Sequence, residues 1–198
     1  MLRSIAILAS LLLAISAEPT ILQSPRVTNW GEWTGKRCPS GQFVRGLRVK
    51  YDNAQYFSDQ TGINAIELVC HNRSDQVDTY LKSGEGPHGD WLELQYCPEG
   101  EYGVGFAIRS AGPLRGRFDD YGVVNFQLYC GQPNGKRNSW HRLTGVTFLN
   151  YQKGEWSSNQ YCQSGKVVCG INTQIETDQG WFGDDTGLNN ADLWCCDF

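Results

Sequence analysis

Three short stretches place a tryptophan directly beside a carboxylate, a combination suited to binding sugars. An indole ring stacks on the C–H face of a pyranose, and a carboxylate accepts hydrogen bonds from its hydroxyl groups. We therefore predict six candidate glycan contacts: Glu32, Trp33, Asp90, Trp91, Glu155 and Trp156. The structural alternative, with each tryptophan capping one end of the core and each acid facing water, is favoured by the repetition in every copy, since symmetry alone would place these residues equivalently.

A second set of candidates consists of acidic residues that precede glycine in turn-like segments: Asp59, Asp119, Asp120, Asp184 and Asp185. Two carboxylates can share the acid and base steps of glycosidic cleavage, and carboxylate oxygens also bind calcium. Aspartate, however, commonly hydrogen-bonds its own backbone in turns. Side chains of adjacent aspartates usually diverge. A structural turn is therefore the favoured interpretation, and glycan contact is the second.

Other chemistry has little support in the sequence. Neither a Gly-x-Ser-x-Gly, a His-Glu-x-x-His nor a phosphate-binding glycine loop occurs. The histidines His71, His88 and His141 are scattered, and the chain contains no Cys-x-x-Cys pair. We therefore predict no catalytic residue, no metal and no cofactor, and we do not expect catalysis to be the main role. Basic residues form no patch, so we expect no nucleic-acid partner.

The candidate stretches recur because the chain repeats one sequence unit three times, at about residues 27–80, 81–145 and 146–198. Each copy opens on a tryptophan, passes a Cys-x-x-Gly turn at Cys38, Cys97 or Cys162, and closes on an apolar segment that ends in cysteine. Such a unit buries its apolar face only against its neighbours. The three copies are therefore predicted to form one domain.

Within each copy, apolar and polar residues alternate in runs typical of half-buried β-strands. Phe43 and Leu47 are an even number of residues apart, so the alternation places them on the same face of a strand. The same relation holds in the other copies. No helical stripe of apolar residues follows residue 20. Each copy is thus predicted to supply about four antiparallel strands, and three such sheets facing one core make a β-prism with pseudo-threefold symmetry.

The last predicted strand of each copy, which we call the closing strand, carries one residue whose environment the sequence leaves open. These residues are Val69, Tyr129 and Trp194, and the alternation places them on the outer face. Exposed, they would offer a docking surface for another protein. Alternatively, they pack under a neighbouring strand of the same sheet.

Residues 1–17 combine a short basic start, an apolar run and a small-residue end, which is typical of a secretory signal peptide. The mature domain is then residues 18–198, secreted and without a membrane span. Eight cysteines in an exported chain predict a disulfide framework. Equivalence of the copies predicts the pairs Cys38–Cys70, Cys97–Cys130, Cys162–Cys195 and Cys169–Cys196. Asn72 begins an N-glycosylation sequon.

The opening Trp30-Gly31-Glu32-Trp33, the Cys-Pro-x-Gly turn, and residues 183–191 (Gly-Asp-Asp-Thr-Gly-Leu-Asn-Asn-Ala) before Cys195-Cys196 resemble the vitelline membrane outer layer protein I family. The resemblance covers about residues 27–198. It implies a β-prism I fold of three Greek-key sheets, disulfide-stapled, and similarity to jacalin-type lectins. It also implies a place in the outer layer of the egg vitelline membrane and weak lysozyme-like transfer on N-acetylglucosamine oligomers. The middle copy departs from the pattern at Tyr121 to Val124.

These observations favour a secreted structural or binding component of an extracellular coat. A lectin-like glycan binder and a weak transglycosylase are the alternatives. The expected partners are coat or matrix proteins, with chitin-like or N-acetylglucosamine glycans as further candidates.

Overall fold

The structure is a computed structural model that describes residues 18–53, 61–113, 120–134, 141–148, 153–179 and 185–198. The predicted signal peptide lies outside these ranges. Within these ranges, fourteen strands form three antiparallel sheets, which confirms the predicted all-β class. The first strands in chain order are β1 (Thr20–Leu22), β2 (Glu32–Arg37), β3 (Gln42–Tyr51), β4 (Ile63–Asn72), β5 (Asp78–Glu85), β6 (Asp90–Trp91) and β7 (Gln95–Tyr96). The remaining strands are β8 (Tyr102–Ser110), β9 (Val123–Gly131), β10 (Arg142–Thr144), β11 (Glu155–Trp156), β12 (Gln160–Tyr161), β13 (Lys166–Ile175) and β14 (Leu188–Asp197).

The three sheets share one topology. Sheet I has the order β5-β4-β3-β6, with β7 also on β3. Sheet II has the order β10-β9-β8-β11, with β12 also on β8, and sheet III has the order β1-β14-β13-β2. Each sheet therefore takes its edge from the opening of the next copy. The edge of sheet III comes from the first copy, so the three copies are interlocked in a ring.

All four predicted disulfides are present: Cys38–Cys70, Cys97–Cys130, Cys162–Cys195 and Cys169–Cys196. The first three join neighbouring sheets. Cys38, for example, hydrogen-bonds Cys169 of sheet III through its backbone N–H and is bonded to Cys70 in β4 of sheet I. The fourth joins β13 and β14 within sheet III. The ring of sheets is thus closed covalently at each of its three joints.

The inner faces of the sheets pack into one hydrophobic cluster that includes Leu47, Phe106 and Ile171 at equivalent places in the three central strands. A register shift at the same offset in each sheet leaves Arg45, Val104 and Cys169 as bulge residues. A bulge moves the following residues to the other face.

The bulge makes one prediction from parity wrong. Phe43 does not share the inner face with Leu47; instead it packs against a separate cluster that contains Tyr102 and Val167, its equivalents in the other copies. The closing strands also differ from the half-buried pattern. Nearly every residue of β4 is buried, Glu67 included, because both faces of this central strand are covered.

At one end of the molecule, three glycines let the sheets approach to backbone contact. A Cβ atom on Gly62 would lie 2.9 Å from the carbonyl oxygen of Val123, and one on Gly187 would lie 2.9 Å from that of Ile63. A Cβ atom on Gly122 would overlap the carbonyl oxygen of Leu188. Each copy thus contacts the next around a closed cycle, which we call the glycine ring.

We expect Gly122→Ala to lower the free energy of unfolding by roughly 1–3 kcal/mol, because the added methyl group overpacks a site bounded by rigid backbone. The measurement is chemical denaturation of the oxidised protein. Gly112→Ala is the matched control, since a Cβ atom there meets only Val27, at 3.7 Å. Equal stability of the two variants would contradict the close approach at the glycine ring.

Candidate functional site

The structure places the three predicted opening tryptophans on the outer faces of three different sheets. Trp33 pairs in register with Gln174 in sheet III, Trp91 with Lys50 in sheet I, and Trp156 with Arg109 in sheet II. Because the inner faces of the sheets share one core, their outer faces point in different directions. The tryptophans therefore belong to three separate surfaces and do not line one pocket.

The acids that neighbour these tryptophans in the chain do not lie on the same face of the sheet as the rings. Successive side chains of a strand point to opposite faces, so Glu32, Asp90 and Glu155 point away from the outer faces on which the adjacent rings lie. All three acids are exposed. The pairing of indole and carboxylate that the sequence suggests is thus not formed by neighbours in the chain.

In two sheets the tryptophan ring instead contacts an arginine, and this arginine is hydrogen-bonded to a carboxylate of the closing strand. The guanidinium carbon of Arg26 lies 4.7 Å from the centre of the Trp33 ring. Arg26 donates two hydrogen bonds to Asp192, of 2.8 and 2.7 Å. The buried Asp192 also accepts a bond from the backbone N–H of Ser24 at 3.0 Å.

Sheet I repeats the arrangement with other residues. Arg48 lies 5.0 Å from the centre of the Trp91 ring and donates to Glu67 over 2.6 Å. Sequence reasoning missed these arginines. The available signal was the presence of Glu67 and Asp192 in otherwise apolar closing strands.

Sheet II lacks the ion pair because Gln127 occupies the equivalent position. The hydroxyl group of Tyr129 donates to Oδ1 of Asn159 over 2.8 Å, and Oε1 of Gln127 lies 3.2 Å from the same hydroxyl oxygen. Burial, and to a lesser extent the proximity of Tyr161, raises the pKa of Tyr129 above its usual value. The hydroxyl group therefore stays neutral and remains a donor. Arg109 donates to the carbonyl oxygens of Lys153 and Gly154.

The acidic-turn candidates are only partly described. Asp59, Asp119 and Asp184 lie outside the described residues, and Asp120 is half-buried. Asp185 is buried and accepts a hydrogen bond from the backbone N–H of Gln179 at 2.9 Å. Its other oxygen lies 4.0 Å from Nε2 of His88. Asp185 thus has the backbone contact expected of a structural turn.

Beside these turns, a hydrogen-bonded pair recurs in two copies. Asn64 donates to the hydroxyl oxygen of Thr61 over 2.5 Å, and Asn189 donates to that of Thr186 over 2.6 Å. The middle copy has Tyr121 and Val124 at these two positions, where they pack together. Both members of the pair have changed, which preserves the packing of the turn.

The same turns are held by acids that were not among the candidates. Asp52 accepts from the N–H and hydroxyl groups of Thr61, both at 3.4 Å. Glu176 accepts from the same groups of Thr186 at 3.1 and 2.7 Å. These carboxylates lie at equal distances along the chain from Cys38 and Cys162. They stabilise the turns, and their repetition is explained by this role.

The open question about the row formed by Val69, Tyr129 and Trp194 is resolved in favour of packing within the sheet. Val69 is fully buried and Tyr129 is 6% exposed. Trp194 covers Gly35 and Gly170, and Arg37 lies 4.9 Å from its ring centre. These three side chains are therefore not an exposed docking row.

In the described part of the chain, no group of three or more His, Cys, Asp or Glu residues is placed to hold a metal ion. Likewise, these ranges contain no helix that is long and apolar enough to cross a bilayer.

The family model described as vitelline membrane outer layer protein I (VOMI) matches residues 20–198. The chain belongs to this family. The vitelline membrane outer layer protein 1 homolog of Homo sapiens is 32% identical over 170 residues, covering 84% of this chain and 78% of that protein. The homolog of Mus musculus is 27% identical over 112 residues, or 57% and 53% of the two chains. The match includes all three sheets and all eight cysteines.

Solved structures show how widely the fold of this family occurs. Artocarpin complexed with Me-alpha-mannose has a TM-score of 0.55 at 9% identity, and covers 91% of this chain and 99% of its own. Single-chain recombinant jacalin has a TM-score of 0.54 at 11% identity, with coverage of 94% and 99%. At such identity the likeness concerns the fold alone. It confirms the β-prism architecture predicted from the sequence.

We expect Asp192→Ala to lower the free energy of unfolding by about 2–3 kcal/mol, since it removes an acceptor of charge-assisted hydrogen bonds from a buried site. The N–H group of Ser24 loses its partner, and Arg26 keeps only its hydrogen bonds to Ser24. Glu32→Ala, an exposed acid next to the same tryptophan, should change stability by less than about 0.5 kcal/mol. Urea unfolding measures both. A larger effect of Glu32 would show that the predicted neighbour, and not Asp192, supports Trp33.

Proposed function

We propose that this protein is an exported structural component of an extracellular coat of the vitelline membrane outer layer type. The observation that carries the proposal is the family match over residues 20–198, which leaves no sheet or disulfide of the domain outside it. The curated human and mouse relatives are named for the same layer. The predicted signal peptide at residues 1–17 supplies the export that such a role requires.

The covalent ring is suited to a coat, where a protein meets proteases and has no chaperones. Each inter-sheet disulfide closes a loop of 32 or 33 residues. In the chain-entropy model, a loop of this size contributes about 3–4 kcal/mol by restricting the unfolded chain. Since the bonds lie at the joints between sheets, they also oppose local separation of one sheet, the step that would expose backbone to proteolysis.

The test is expression of the full chain in secreting cells, followed by incubation of the product with isolated vitelline membrane outer layer. We expect the protein in the medium to start near Glu18, to contain no free thiol, and to bind the isolated layer saturably. Export of a correctly oxidised protein that does not bind the layer would contradict a role in the coat. Retention inside the cell would contradict the proposed export.

The sequon at Asn72 supports export through a glycosylating compartment. Asn72 is the last residue of β4, and its side-chain oxygen accepts from the N–H and hydroxyl groups of Ser74 at 3.0 and 2.8 Å. This local turn lies on an exposed segment that includes Arg73 and Asp75. The Ser74 hydroxyl group is thus already placed against the amide that would be modified.

We expect the secreted protein to carry one N-linked glycan on Asn72. An amidase that removes N-glycans should then reduce the apparent mass of the wild-type protein, and Asn72→Gln should have the reduced mass without treatment. Asn134→Gln, which changes an asparagine outside any sequon, is the control. An unchanged mass of the wild-type protein after treatment would contradict the modification.

Glycosyl transfer is the less favoured alternative. Among the described candidates, Asp90 and Glu155 lie at the edges of different sheets, and Asp185 is buried and bonded to its own turn. Retaining glycosidases need two carboxyl groups about 5 Å apart across one sugar. Asp90 and Glu155, on different sheets, are therefore not placed as such a pair.

A further inference from the structure

The tyrosines of the chain differ widely in their exposure to solvent. The chain has nine tyrosines, of which Tyr56 and Tyr151 lie outside the described residues. Among the described ones, only Tyr80 and Tyr96 are exposed, with 55% and 42% of their surface open to solvent. A reagent that attacks accessible phenols would therefore meet these two first in the described part of the chain.

The strand register places the two exposed tyrosines at opposite ends of one row on the outer face of sheet I. Tyr80 in β5 pairs with Val69 in β4. Val69 pairs with Gly46 in β3, and Gly46 pairs with Tyr96 in β7. Val69 and Gly46 are both buried, although they belong to the outer face. The two tyrosine side chains therefore lean over them, toward each other, from the two edges of the sheet.

The two phenol groups are close enough for one to affect the ionisation of the other. Desolvation raises the pKa of Tyr96, and a side-chain hydrogen bond with Tyr80 raises it further. The tips of the two rings thus meet above Val69. In a phenol the ortho carbons flank the hydroxyl group, so rings that meet at their tips also bring their ortho carbons near each other.

The equivalent rows of the other two sheets hold no such pair. In sheet III the residues at the two ends of the row are Ile21 and Arg37. In sheet II they are Arg142 and Tyr161. In both sheets a large ring of the closing strand stands between the ends, where sheet I has only Val69. The small side chain of Val69 is what allows two rings to approach each other across the sheet.

We propose that Tyr80 and Tyr96 are a site of oxidative cross-linking, at which an extracellular peroxidase joins the two rings of one molecule into dityrosine. Each phenol loses one electron and its hydroxyl proton, which gives two phenoxyl radicals. The radicals form one carbon–carbon bond between ortho carbons, and the two ortho hydrogens move to the oxygens as the phenols re-form. The two electrons and two protons reduce one molecule of hydrogen peroxide to two of water.

The contact between the two tyrosines favours coupling within one molecule over coupling between molecules. Groups that are held side by side react at an effective concentration far above that of a second molecule in solution. The new bond ties β5 to β7, at the two edges of sheet I, and restricts the unfolded chain as a disulfide does. Sheet III has a comparable bond within the sheet in Cys169–Cys196. The proposal goes beyond the proposed function and does not depend on membership of a coat.

The test is treatment of the secreted, disulfide-bonded protein with a peroxidase and hydrogen peroxide at low protein concentration. We expect the monomer to gain dityrosine fluorescence and to lose the mass of two hydrogen atoms. After reduction and digestion with trypsin, residues 74–82 and 83–109 should be recovered as one cross-linked peptide. Tyr80→Phe and Tyr96→Phe should each lower the yield in the monomer at least about tenfold, since phenylalanine keeps the ring but gives no phenoxyl radical.

The matched control is Tyr161→Phe, at the position in sheet II that is equivalent to Tyr96. The Tyr161 ring lies 5.3 Å from that of Tyr129, but Tyr129 is buried, so this variant should give the wild-type yield. Dityrosine found only in covalent dimers would show that the exposed phenols react between molecules, which overturns the proposal. It is also overturned if the treated monomer contains no dityrosine, or if the cross-linked peptide still forms in Tyr96→Phe. Thermal melting of each variant separates loss of the cross-link from loss of fold.

Discussion

The structure depends on one constraint, namely that each sheet can bury its inner face only against the other two. Leu47, Phe106 and Ile171 come from three copies of the sequence and meet in a single cluster. Burial of apolar surface is the dominant favourable term in folding, and no copy reaches it alone. The exchange of edge strands strengthens this dependence, because β2 completes a sheet whose other strands are mostly more than a hundred residues away. The ring is therefore one cooperative unit.

The disulfides and the glycine ring act at different points of this unit. Three disulfides lie at the joints between sheets, where Cys38, Cys97 and Cys162 follow the exchanged edge strands. The glycine ring lies where the closing strands begin. There, backbone meets backbone and no side chain fits. The disulfides restrict the conformations of the unfolded chain, whereas the glycine ring requires close backbone contact in the folded chain. The two features therefore stabilise the same arrangement independently.

Divergence among the copies shows which parts are interchangeable. The middle copy replaces the Thr–Asn hydrogen bond with the packing of Tyr121 on Val124, and replaces the buried carboxylate with Gln127. Both changes are local and leave the core intact. The outward position of the closing strands varies as well, because Val69 in sheet I stands where sheets II and III have Tyr129 and Trp194.

By itself, the sequence determined the threefold repeat, the all-β class and all four disulfide pairings, because these follow from spacing and composition that equivalent copies share. It did not determine the faces of Phe43 and Leu47, since a bulge at Arg45 reverses parity without a signal in the pattern. Nor did it identify the partners of the tryptophans. It pointed to Glu32, Asp90 and Glu155 as neighbours in the chain, whereas Asp192 and Glu67 reach the same surfaces through Arg26 and Arg48. Only the tertiary structure decided these contacts, because the pairing register places residues far apart in sequence on one face and sends adjacent residues to opposite ones.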